Sequence, residues 1–79
     1  MRDLQNVWGE IMEEDYHTRV KEEKKDLDQR IIKLANFLTT TEFMALPVDE
    51  RKRLRKQNLI MSKYSEILEE RILHFPVSQ

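Results

Sequence analysis

Three side chains in the second half of the chain carry the chemistry most in need of explanation. Tyr64, Ser65 and Arg71 lie within two helical turns of one another, and Gln57, Tyr64 and Arg71 recur at intervals of seven. On a helix that interval returns to the same face. A ring that can stack, a hydroxyl and a planar guanidinium on one face suit a nucleotide or a phosphate. Asn58 and Ser65 take positions in the apolar seam beside this row, where polar residues also serve to fix register and oligomeric state. Both readings stand at this point.

Lys24 raises the same question in the first half. It occupies the helical position between Val20 and Leu27, in an otherwise apolar seam. An ammonium there is costly unless it reaches water or an anion. It either extends to solvent or pairs with a nearby acid such as Asp28, or it points into an interface pocket that takes an anionic ligand. The run Arg51-Lys52-Arg53-Leu54-Arg55-Lys56 holds five cations in six residues. The larger claim on it is that of a solvated face balancing the acidic first half of the chain, and a phosphate patch is the smaller one.

For catalysis the inventory is poor. There is no cysteine, no Gly-rich phosphate loop and no Ser-His-Asp set with credible proximity. His17 and His74 are far apart without ligand spacing, so neither a metal nor another cofactor is expected. The expectation is a protein that binds rather than one that catalyses.

These side chains need long helices to hold them, and the sequence supplies them. From about Asp15 to Thr39 there is no Gly or Pro, and Val20, Leu27, Ile31, Leu34 and Leu38 form an apolar seam. Thr39-Thr40-Thr41 ends that helix, since β-branched hydroxylated residues favour caps. A helical turn through Glu42-Phe43-Met44 follows. Pro47, with Asp49 and Glu50 behind it, starts a second helix, and Pro76 stops it. Within it Leu54, Met61, Leu68 and Phe75 form one heptad row, flanked by Ile60, Ile67 and Ile72. Upstream, Leu4, Val7, Trp8, Ile11 and Met12 also keep helical spacing, as a short separate helix or an extension of the first long one.

The predicted fold is therefore all-α. It is an antiparallel hairpin of two long amphipathic helices, residues 15–39 and 47–75, with a short N-terminal helix within residues 1–14, all in one domain spanning 1–79. A composition of 37% charged residues with one glycine and two prolines suits this. No apolar run approaches the roughly 20 residues of a membrane span, which leads to the expectation of a cytoplasmic protein. A formal net charge of -1 argues against general nucleic-acid affinity. The charge is split, however, with 7 basic and 12 acidic residues in 1–50 and 7 basic and 3 acidic in 51–79. A chain of 79 residues has a marginal core of its own. With no disulfide or metal to support it, and with Trp8 on an apolar segment, self-association into a homo-oligomer is expected.

The stretch Tyr16-His17-x-Arg19-Val20-x-x-Glu23-Lys24-x-Asp26-Leu27-Asp28-x-Arg30-Ile31-x-Lys33-Leu34-x-x-Phe37-Leu38, followed by Tyr64-Ser65-x-Ile67-Leu68-x-x-Arg71-Ile72, resembles a family of small helical proteins of tailed bacteriophages and prophages. The resemblance covers about residues 16–72, and Arg30 stands where lysine is more usual. It implies a phage accessory protein of the host bacterial cytoplasm. By analogy with helical counter-defence proteins, it implies a sponge that sequesters an anionic nucleotide immune signal, of cyclic oligonucleotide or cyclic ADP-ribose type, in pockets between subunits. On that reading Lys24 and Arg71 contact phosphate, Arg19 and Arg30 assist, Tyr64 stacks on the base and Ser65 lines the pocket. The competing expectations are a protein-protein inhibitor of a host nuclease or defence complex, and a structural phage component without a small-molecule site.

Overall fold

The computed structural model describes the backbone of residues 4–76 and the side chains of residues 16–76. Helix α1 spans Leu4–Phe37, a single turn α2 spans Thr41–Met44 and helix α3 spans Val48–Leu73. No strand occurs among the described residues. Of the two readings of the N-terminal segment, the backbone takes the second and is continuous with α1 from Leu4. No proline interrupts residues 4–37, and a lone glycine in a helix interior costs only about 1 kcal/mol, too little to break the helix at Gly9. The expected packing of Trp8 lies outside the described side chains.

The reversal between α1 and α3 is built by threonines. Thr39 and Thr40 donate their hydroxyls to the carbonyls of Asn36 and Phe37, at 2.7 and 2.6 Å, which closes the C-terminus of α1. The Thr40 oxygen also accepts from the Phe43 amide at 3.1 Å, so one side chain ends α1 and caps α2. Phe43 is thereby turned inward and fully buried. Phe37 meets it edge-on at 6.0 Å, and the Arg55 guanidinium lies 5.1 Å over its ring. Asp49 and Glu50 occupy the first turn of α3, where the macrodipole favours them. Arg51 holds the incoming chain through a bond from its Nε to the Leu46 carbonyl at 3.1 Å.

The two long helices pack antiparallel along one seam. Val20 and Leu27 of α1 and Leu68 of α3 are buried together, and Ile31, Met61, Ile72 and Phe75 pack half-buried around them. Ile60 and Ile67, expected beside the seam, are more than half exposed. They sit too far round α3 to reach a single partner helix, and a rod 19 by 16 Å in cross-section has no third layer among the described residues to cover them. The accessible surface of 6826 Å² is about a third larger than the roughly 5,100 Å² of a compactly folded monomer of 9.6 kDa.

Candidate functional site

The antiparallel register sorts the six candidate residues into two groups. Lys24 and Ser65 face each other inside the helix interface. Lys24 Nζ donates to Asp28 Oδ2 at 2.7 Å and to Ser65 Oγ at 3.2 Å, and it pairs with Glu69 at 3.7 Å. The Ser65 hydroxyl in turn donates to the other Asp28 oxygen. Of the accommodations open to Lys24 in the sequence, pairing with Asp28 is the one adopted. A closed network of this kind satisfies the groups it half-buries, and it fixes register because no other alignment brings Ser65 between Lys24 and Asp28.

The electrostatics follow from the contacts. The hydrogen bonds from Lys24 and then Ser65 hold the Asp28 carboxyl below the usual carboxylate range, against the opposing effect of burial. The bond to Asp28 raises the Lys24 ammonium above its ordinary value. A carboxylate depressed in the folded state adds stability that is present above its unfolded pKa and is lost as pH falls through the folded value. The raised lysine adds stability at every pH below its ordinary value and loses it only in strong alkali. Asp28→Asn should therefore lower the melting temperature at pH 6, and the gap from the parent should close as pH falls below the usual carboxylate range. A gap that stays constant from pH 6 to pH 2 rules out the network as a source of acid sensitivity.

The second group lies along one flank of the hairpin. Arg19, Arg30 and Tyr64 line a cleft of about 350 Å³ together with Glu22, Glu23, Asp26 and Leu27. Tyr64 donates its hydroxyl to Glu23, and that bond, with some loss of solvation, raises the phenol above its ordinary value so that it stays protonated. Arg71 lies one heptad further along α3 and donates an Nη hydrogen to the Tyr16 hydroxyl, with its guanidinium 5.4 Å over the Tyr16 ring. This hydrogen bond raises Arg71 above the ordinary arginine value, so the charge is permanent. His17 and Phe75 stack beside it, 4.0 Å between ring centres.

Tyr16, Glu22, Glu23 and Asp26 belong to this flank and were not among the expected site residues. The signal was there in the row Arg19, Glu22, Glu23, Asp26, Arg30, whose members fall three, four, seven and eleven residues after Arg19 and so mark one side of the α1 seam. Of the basic run, Arg51 is tied to the Leu46 carbonyl, Arg53 lies 3.6 Å from Glu50 and Arg55 covers Phe43. These contacts give the run a local structural role. Among the described residues no group of three His, Asp or Glu side chains could hold a metal ion, and no helix is long and apolar enough to cross a membrane.

Fold and flank together define a small two-helix hairpin that carries two arginines, three carboxylates and a tyrosine along one open cleft. The chain belongs to the Sequestin family, whose model matches residues 14–74. It is 38% identical over 60 residues to a protein of Enterobacteria phage T4 described as an uncharacterized 7.5 kDa protein in the denB-rIIB intergenic region, a match covering 76% of this chain and 94% of the phage protein. The motifs of residues 16–72 thus mark a family of small phage proteins. No solved structure matches the chain.

Proposed function

We propose that the protein is a phage counter-defence factor that sequesters an anionic nucleotide signal of bacterial immunity, of cyclic oligonucleotide or cyclic ADP-ribose type, in the host cytoplasm. The observation that carries this reading is the convergence of Arg19, Arg30 and Tyr64, from two helices, on one cleft, with Arg71 one heptad from Tyr64 along α3. The family name points to sequestration, and the phage relative points to the setting. Arginines supply forked donors to phosphate oxygens and the tyrosine supplies a stacking face. The cleft also holds three carboxylates, so it is not a plain cation pocket. Balanced charge of this sort suits a ligand with both phosphates and donor groups, such as ribose hydroxyls or base amines, better than inorganic phosphate. Lys24 and Ser65 contribute by fixing the register that brings Tyr64 to the cleft.

Subunits close the site in this proposal. An open cleft on a rod two helices thick buries little of a nucleotide, whereas small-molecule sites enclose most of their ligand. The excess surface and the exposed Ile60 and Ile67, which follow the Tyr64 side of α3, supply material for self-association. Native mass spectrometry of protein purified from bacteria producing such a signal should give a multiple of 9.6 kDa that carries a retained nucleotide. A bare monomer from those cells, with no nucleotide bound after titration, sinks the reading.

A further inference from the structure

Helix α3 carries a second seam beside the one it shares with α1. Arg53, Gln57, Ile60, Tyr64, Ile67, Arg71 and His74 follow one another at alternating intervals of four and three, the spacing of residues that face a partner helix. Ile60, Ile67 and His74 each precede by one residue a member of the row Met61, Leu68 and Phe75, which packs against α1. One residue turns a helix by about 100°, so the second seam lies along the flank that bears the cleft, and Tyr64 belongs to both. At its middle Ile60 is 55%, Tyr64 41% and Ile67 53% exposed, which leaves two branched apolar side chains and a ring uncovered.

The charges beside this seam point to what covers it. Lys56, Lys63 and Glu70 run along its outer edge at intervals of seven, all exposed and none in an ion pair among the described residues. A second α3 laid parallel sets each of them against itself, Lys56 on Lys56 and Glu70 on Glu70, and the like charges repel. Laid antiparallel about a twofold axis near Tyr64, it sets Lys56 against Glu70 of the second copy and Glu70 against its Lys56. Ile60 then meets the second copy's Ile67, and Gln57 stands opposite Arg71, whose guanidinium keeps donors beyond its bond to Tyr16. Lys63 meets its own copy in either orientation and decides nothing. The pairs 56 and 70, 57 and 71, and 60 and 67 all have their midpoints at residue 63 or 64, so one twofold operation satisfies them together.

We infer that the Ile60 and Ile67 face of α3 is an isologous interface, on which the protein pairs with a second copy of itself, α3 against α3 and antiparallel. This rests on the self-association in the proposed function and specifies it, and it stands without the nucleotide. Because Tyr64 lies both in the cleft and at the axis, the pairing brings the two clefts alongside each other. The second copy thereby adds its own Tyr64 to the wall of each site.

Sedimentation equilibrium of the full chain reads the pairing, and circular dichroism shows that each variant is folded. The parent should sediment at twice 9.6 kDa. Ile67→Asp should sediment as the single chain with its helix content kept, because that residue is 53% exposed in the hairpin. Lys56→Glu and Glu70→Lys should each weaken dimerisation roughly tenfold, since two exposed ion pairs become two repulsions, and the double variant Lys56→Glu/Glu70→Lys should recover the parent's strength. Recovery requires residues 56 and 70 of different copies to meet, as they lie about 20 Å apart along one helix. A parent that stays monomeric up to about 1 mM overturns the inference. A dimer that survives Ile67→Asp has its interface elsewhere and overturns it too, and a double variant no stronger than the single ones overturns the antiparallel pairing. Calorimetric titration of the parent with cyclic ADP-ribose and cyclic di-GMP is read separately: a monomer that binds either one overturns the dimer and leaves the nucleotide reading standing, whereas a dimer that responds to all three substitutions as expected and binds neither supports the interface and counts against that reading.

Discussion

Leu68→Ala should unfold a large fraction of the protein at room temperature. Leu68 is 0% exposed and lies at the centre of the only buried cluster between the described parts of α1 and α3, together with Val20 and Leu27. Removing three carbons from such a site costs about 2–5 kcal/mol, made up of lost burial and the cavity left behind. A domain of 79 residues has a total stability of roughly 5–10 kcal/mol, and this hairpin spends its apolar residues on a single seam. Relaxation will not recover much, because the half-buried neighbours Ile31, Met61 and Ile72 are already committed to the same seam. Leu27→Ala should behave alike, with a smaller loss because Leu27 keeps 8% of its surface exposed. Urea unfolding followed by circular dichroism reads the effect directly. A midpoint unchanged in both variants means that the seam assigned here is not what holds α1 to α3.

The same seam shows what the sequence could and could not disclose. Val20, Leu27, Leu54, Met61 and Leu68 announce two amphipathic helices by spacing alone, and the threonine run with Pro47 announces the turn between them. What spacing does not announce is the register of one helix against the other. A slide of one heptad preserves every apolar contact type, yet it places Tyr64 opposite Tyr16 or Arg30 instead of Glu23. The register is set by features that act across the fold: the two hydrogen bonds of the Thr40 hydroxyl and the Phe43 anchor fix the length of the reversal, and Lys24, Asp28 and Ser65 lock the seam 37 to 41 residues apart in sequence. The site depends on that register. Tyr64 and Arg71 were legible as residues out of place and Arg19 and Arg30 came only with the family motif, whereas the carboxylates that line the cleft, and the exposure of Tyr16, follow only from the register. Lys24 is the instructive case, since its position in the seam allowed a ligand contact beside the more favoured solvent or acid partner, and the location of Asp28 relative to Ser65 is what selects the pairing.

Arg71→Met should leave the fold nearly as stable as the parent and weaken nucleotide binding about 100-fold. The two halves of this expectation have different origins. In the folded chain the Arg71 guanidinium is hydrogen-bonded to the Tyr16 hydroxyl and lies over its ring, and among the described residues it forms no ion pair with a carboxylate. Its loss strands a hydroxyl that is already half in water, and methionine restores apolar contact with the ring, so the change in stability should stay within about 1 kcal/mol. Had Arg71 been the partner of a buried glutamate, the same substitution would strand a charge and cost several kcal/mol. On the binding side, a guanidinium that meets a phosphate makes charged, forked hydrogen bonds worth about 2–3 kcal/mol, which is the hundredfold. Arg71→Lys separates charge from geometry: the ammonium keeps the attraction but cannot donate in a fork, so binding should fall part of the way and the melt should not move. A variant that melts far below the parent yet binds nucleotide undiminished assigns Arg71 to the architecture. In that event the charged flank of α1 and α3 is better explained as the contact surface of a protein-protein inhibitor, because ion-pair-rich helix faces steer macromolecular partners without needing any one guanidinium.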